Sequence, residues 1–334
     1  MNRRRIEYLL PGALAVAAVI LMLLIGGVGG AAQAWLAAYL FWVGLPVGAL
    51  FASLVHGLTG GGWGIALRPA LAAMLRTMPL LALLLIPVLI GAPRIYPWAL
   101  DGGHGWLALP FFTVRAVVYV VLWNLLALGV GRYRLPDGRL PPGFAWPALI
   151  LLFGTTTLAA FDWAMTLEPR WTSTIFGLLV TTGWVVSALA VALAATARLT
   201  DGERLDAAAR LLLAVILLWA YLSAIQLIVI WESDLSREIP WYLRRSVGGW
   251  QFAALAFALA EFAVPFVVLV WRPLRRSPMV VAATALMVAA AHLVETWWLT
   301  APDFTRPFGW PEPLAVIAIG GCVLLVARRE FARW

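Results

Sequence analysis

The chain has 334 residues, 63% of them hydrophobic and 12% charged, with a mean hydropathy of +0.92. Water-soluble domains carry about 25% charged residues, so a soluble globular protein, a disordered chain and a collagen-like fibre are excluded, and a single cysteine, Cys322, excludes a disulfide scaffold. The net charge of +8 comes from 24 arginines and no lysine; they sit between apolar runs and form no folded basic patch, so nucleic-acid binding is not expected.

Continuous apolar runs fall at about 8–28, 34–58, 72–92, 108–130, 144–165, 173–197, 207–231, 248–271, 277–300 and 313–327. They are too long for strands and lack the alternation of a membrane barrel. Each must be a helix, because the bilayer core offers no water to satisfy a backbone group. At ~20 residues per crossing, the chain reads as an all-α, polytopic integral membrane protein with about ten transmembrane helices. The first run follows Arg3, Arg4 and Arg5 and precedes Ala32-Gln33-Ala34, a pattern shared with cleaved signal peptides. Its length is that of a crossing, so it is expected to be retained.

Arginine counting gives the direction. With the N-terminus inside, inner segments carry 17 arginines and outer loops 6, while Arg115 lies within a helix. That every-other-loop split predicts both termini on the cytoplasmic side. Eleven of the 19 tryptophans, Trp35, Trp98, Trp106, Trp163, Trp171, Trp231, Trp241, Trp250, Trp297, Trp298 and Trp310, then fall near the outer face. They read as an aromatic belt or as a surface that docks another subunit. The outer segment 232–247 is polar enough to leave the membrane.

Ionisable groups at membrane depth cost about 2.5–3.5 kcal/mol each on insertion scales, so each needs a reason. Glu261 lies eleven residues from Arg272, ~16 Å deep and close to the midplane. Ala254 and Ala258 share its face and leave room for water or close packing, while Phe257 narrows that space. Glu261 reads as a proton carrier or as a hydrogen-bonded acid. His292 and Glu295, spaced i, i+3 on one helix face, can hold a proton, meet a quinone carbonyl or satisfy each other. Trp219, Ser223 and Gln226 form a polar stripe that can face them. Asp162 and Arg115, near the outer ends of consecutive helices, are expected to form a structural ion pair. His56 is expected near the inner interface and His104 in a loop. No catalytic residues, metal-ligand spacing, P-loop or C-x-x-C-H haem motif is found, and one cysteine excludes an iron–sulfur cluster.

The stretch from Phe161 to Gly177 reads Phe-Asp-Trp-Ala-Met-Thr-Leu-Glu-Pro-Arg-Trp-Thr-Ser-Thr-Ile-Phe-Gly. It resembles the signature F-D-W-x-M-S-L-E-P-x-W-x-S-T-x-F-G of membrane subunits of alternative complex III. Gln226 and Trp231, then Ile239-Pro240 and Trp241 to Arg245, resemble the Q-x-x-x-x-W…I-P…W-x-x-x-R region of the same subunits. The similarity is greatest to the F subunit, within the NrfD-like, polysulfide-reductase membrane-subunit family, and the motifs cover about a quarter of the chain. The resemblance implies two four-helix bundles, over about 34–165 and 173–300, with flanking helices at 8–28 and 313–327. It implies a complex of the bacterial inner membrane with further membrane subunits and with periplasmic cytochrome c and iron–sulfur subunits. That complex draws quinol from the quinone pool and passes electrons to cytochrome c or an oxidase. Quinol oxidation is assigned mainly to a paralogous subunit, and the F subunit is associated with a proton path and a structural role. No cofactor is expected on this chain itself. The matched motif positions are Asp162, Glu168, Trp171, Gln226 and Trp231.

The expected function is therefore an integral membrane subunit of a quinol:electron-acceptor oxidoreductase, providing a scaffold and a proton half-channel. Glu261 would be the mid-membrane carrier, with His292, Glu295 and Asp162 nearer the outer exit. Two other readings fit the same residues. One is a pure anchor, docking peripheral redox proteins through the outer tryptophans and the 232–247 segment. The other is a stand-alone ion-coupled transporter, which the prolines at Pro46, Pro87 and Pro265 and the buried acids would suit.

Overall fold

A bilayer's apolar core is about 30 Å thick, and that length organises the chain. The computed structural model describes residues 3–135, 138–233 and 236–331, with side chains given for those between 12 and 328. Asp234 and Leu235 of the outer segment, and Arg333 and Trp334, lie outside the described residues, as do the side chains of Arg3, Arg4, Arg5 and Arg329. Helix follows helix, and no strand occurs among the described residues. Nine of the helices there are long and apolar enough to cross a membrane. The protein is an all-α, multi-pass membrane protein.

One of the nine counts twice. The 57 residues of α1 (Arg3–Thr59) would measure ~85 Å as a straight helix, more than twice the apolar core. The helix breaks at Gly27, whose φ of 59° favours a residue without Cβ. Before the break Gly12 lies beside Leu325 and Gly26 against Pro311; after it Trp42 donates to Val316 O at 3.0 Å and packs on Gly320. The two arms therefore run in opposite directions along α14 (Pro311–Phe331), and the first two apolar runs are two crossings. Arg306 Nη2 ties the turn by donating to Gly30 O at 3.1 Å.

The third run differs from its expected form. The run at 72–92 is broken across the end of α2 (Gly62–Leu75), which starts ten residues earlier, α3 (Met78–Leu84) and most of α4 (Ile86–Ile95). Pro79 and Pro87 stand in the first turns of α3 and α4, where the missing N–H costs nothing and the preceding helix cannot continue. Then come α5 (Leu109–Tyr133), α6 (Pro142–Trp163), α7 (Phe176–Thr196) and α8 (Gly202–Glu232), a short α9 (Ile239–Arg244), a crossing in two pieces, α10 (Trp250–Phe257) and α11 (Val264–Val270), a short α12 (Arg272–Arg275), and α13 (Pro278–Thr300).

Two apolar cores result. One joins α1, α3 to α6 and α14; the other joins α2, α8, α10, α11 and α13. Helix α7 and the second arm of α1 contribute to both. Gly44 and Gly48, four residues apart on that arm, lie so close to Trp184 of α7 that neither has room for a Cβ, as in small-xxx-small membrane packing. His56 lies in the last turn of α1 at the inner end, as expected, and is buried there: its Nε2 lies 3.1 Å from Gly61 O and its ring meets Trp63 edge-on.

Candidate functional site

The second core holds the polar centre. Pro265 stands four residues after Glu261. A proline ring inside a helix crowds the carbonyl four residues back and supplies no N–H. The chain answers with a π-turn over Ala258–Ala263 between α10 and α11, which widens the helix and sets Glu261 at its inner side, fully buried. Single π-turns of this kind recur at functional sites.

Helix α13 brings the other two groups. His292 Nδ1 lies 2.8 Å from Glu295 Oε2 and 3.4 Å from Glu261 Oε1. Trp219 Nε1 donates to Glu295 Oε1 at 2.9 Å, so the α8 stripe does face the pair. Gly183 of α7 makes room for the imidazole, since a Cβ there would lie 2.5 Å from His292 Cε1. Among the described residues Glu261 Oε2 and His292 Nε2 have no hydrogen-bond partner, and Glu261 Oε1 has only the long contact with His292 Nδ1. Glu261 is thus held far more loosely than its neighbour Glu295, both of whose oxygens are engaged. The cluster can share a proton among two carboxylates and an imidazole. Its donor atoms lie within 4.8 Å of one another, close enough to hold a divalent cation as well. The 2.8 Å contact between His292 and Glu295 has hydrogen-bond length, and a cation would have to part it.

A cleft of about 720 Å³ runs from the outer end of α8 to this cluster. Trp219, Ser223, Gln226, Phe257, Ala258 and Glu295 are among its walls, and Ser223 Oγ is buried without a partner. The small residues before Glu261 thus border open space, with Phe257 narrowing it through edge-on contacts with Trp219 and Trp298.

Asp162 is held elsewhere. Arg115 grips it with Nε and Nη2 at 2.9 and 2.8 Å, Trp106 Nε1 donates at 3.0 Å and Tyr119 Oη at 2.9 Å. The guanidinium also lies 4.0 Å over the Trp106 ring. With both oxygens engaged, Asp162 belongs to an ion-pair clamp joining α5 and α6, and the structure does not bring it into the Glu261 cluster.

The remaining motif positions build an outer corner. Glu168 accepts from Arg244 at 2.6 Å. Trp171 stacks on Trp241 at 4.3 Å. Gln226 accepts from Ser173 at 2.9 Å and donates to Tyr242 Oη at 3.1 Å. Trp231, by contrast, is 57% exposed. At the centre lies Arg245, fully buried, stacked 3.5 Å over Trp241 and donating to the carbonyls of Trp241, Trp298 and Leu299 and to both oxygens of Asp303. Burial pushes Arg245 down to about 10, against the pull of Asp303, and pushes the Tyr242 hydroxyl up to about 12.

In the sequence Arg245 is one more outer-loop charge, and nothing marks Asp303. The one available signal was the W-x-x-x-R spacing, which puts Trp241 and Arg245 on one helical turn. The tryptophan asymmetry also has a cause besides the two expected. Trp163, Trp171 and Trp241 are interior side chains, whereas Trp106, Trp231 and Trp310 are exposed. The outer concentration reflects internal stacking as much as a membrane belt. No model of a known protein family matches the chain, and no curated protein matches it.

Proposed function

We propose that this chain is an integral membrane subunit of a quinol-linked electron-transfer complex of the alternative complex III kind, sited in a bacterial inner membrane. It scaffolds the complex and relays protons through Glu261, His292 and Glu295. The observation that carries the proton relay is the fully buried cluster itself, two carboxylates on either side of one imidazole beside a π-turn. An acid kept at such depth is costly, and Glu261 lacks the arginine, tryptophan and tyrosine donors that hold Asp162. The electron-transfer setting rests on the motif resemblance from Phe161 to Gly177 and from Gln226 to Arg245.

The test is purification from native membranes with identification of co-purifying chains, followed by Glu261→Gln in the assembled complex. Assembly should persist, and turnover or proton release should fall at least tenfold. Unchanged turnover and proton stoichiometry would remove the relay and leave the anchor reading.

One observation favours that second reading. A cleft of about 770 Å³ opens at the outer end between the 168–172 and 236–244 segments, bordered by exposed Arg170 and Arg237. Its test is charge reversal at those two arginines. Deleting 232–247 is not a clean test, because it would remove Trp241 and Arg245 from the interior.

A further inference from the structure

At the opposite, arginine-rich end, the break between α2 and α3 leaves a cleft of about 530 Å³ against α5. Three arginines meet there from separate elements: Arg68 on α2, Arg76 in the break and Arg134 just past α5. Its α5 wall is one helical face, Asn124, Ala127, Leu128 and Gly131. The wall leads into the bilayer rather than into water. Leu128 is 66% exposed, with Leu125 and Val121 exposed a turn or two further along α5 and Leu83 on α3. Exposed leucine and valine on a crossing helix face lipid chains. The cleft is thus cationic at its membrane-surface end and apolar along its length.

A topology signal needs arginines in the loop, but it does not need them gathered around one cleft. Arg134 is half-buried, and burial first and the Arg68 guanidinium second hold it below its usual value. Like charges drawn together cost free energy that a bound anion relieves. Among the described residues, Arg76 and Arg134 take part in no ion pair. Gly131 adds an independent sign. A Cβ there would meet nothing within 4 Å, so no packed neighbour covers the wall at this point.

We propose that this cleft binds an anionic diacyl phospholipid of the arginine-side leaflet, its phosphate among Arg68, Arg76 and Arg134 and an acyl chain along the Asn124–Gly131 face of α5. Basic pockets between crossing helices on this side of a membrane suit such headgroups. The occupant is a lipid rather than a free anion because the apolar wall continues from the cationic end into the hydrocarbon. The proposal is independent of any role for the Glu261 cluster.

The test uses the full chain, delipidated in mild detergent, with binding followed by native mass spectrometry and melting temperature. Phosphatidylglycerol should bind at least tenfold more tightly than phosphatidylcholine of the same chains and should raise the melting temperature. Millimolar inorganic phosphate should neither bind in its place nor reproduce the shift. Arg76→Gln with Arg134→Gln should bring phosphatidylglycerol down to the phosphatidylcholine level. Gly131→Leu, which keeps every charge, should weaken both lipids by crowding the α5 wall of the cleft. Equal binding of the two lipids would overturn the proposal, and so would phosphate competing as well as lipid does. Should the arginine double variant fail to fold, the two-lipid comparison on the unaltered chain still decides.

Discussion

Replacing Arg245 with methionine isolates the outer corner. The change keeps most of the apolar volume and removes five donated hydrogen bonds, three to backbone carbonyls and two to Asp303. Two of those carbonyls, of Trp298 and Leu299, belong to the last turn of α13, where no intrahelical N–H can reach them. Asp303, 3% exposed at its side chain, would keep only the 3.3 Å contact with half-exposed Arg244. Stranding one member of a buried pair costs about 3–5 kcal/mol. The surviving Arg244 contact places this case at the lower end, about 3 kcal/mol. Asp303→Asn should cost a similar amount, since it leaves the guanidinium buried without its counter-charge. The double variant should cost much less than the sum, with a coupling of about 2 kcal/mol between sites in direct contact. Arg245→Lys should fall between, because an ammonium cannot serve two carboxylate oxygens and three carbonyls from one plane. The assay is reversible unfolding of the purified full chain in mixed micelles. Single variants each losing under 1 kcal/mol, with additive effects, would refute the view that this corner is held by the pair.

Gly183→Ala should act on the cluster without touching a titratable group: the new Cβ would push on His292 Cε1, lengthening the contact with Glu295, and turnover should fall severalfold although alanine favours the helix by about 1 kcal/mol. Pro265→Ala should let the π-turn relax to regular helix, turning Glu261 by about 100°; turnover should then fall as in Glu261→Gln while the melting temperature holds or rises. Asp162→Asn should destabilise by about 3–5 kcal/mol as Arg115 loses its counter-charge, read as a lower melting temperature.

The crossings were legible because hydropathy runs and arginine alternation depend only on the solvent, and lipid imposes both on any such chain. The Arg115 and Asp162 contact was legible because consecutive crossings are neighbours and both residues sit near the same end. The convergence of Glu261 with His292 was not. It depends on which face α10 and α11 turn inward, and Pro265 alters that face through a π-turn that no period-3.6 pattern reveals. Likewise the Gly27 reversal looks like any other glycine in a run that also holds Gly26, Gly29 and Gly30. The burial of Arg245 was hidden for a simpler reason: positive-inside counting treats every loop arginine as solvated, and this one lies against the carbonyls and rings of Trp241 and Trp298.

The motif positions and the buried cluster answer different questions. Asp162, Glu168, Trp171 and Gln226 are all engaged in contacts that fasten loops to helix ends. None has an unpartnered polar atom except the Trp171 Nε1. A stretch built this way specifies a shape, so a resemblance confined to it speaks for a shared corner and for what that corner meets in an assembly. Glu261, His292 and Glu295 stand outside both stretches, and two carboxylates buried on one imidazole speak for chemistry. The two can therefore be separated by experiment. Trp171→Ala should lower stability and assembly together, whereas Glu295→Gln should leave both in place and change turnover. A Glu295 variant that fails to assemble while retaining turnover in the residual complex would show that the cluster, too, is there to hold helices together.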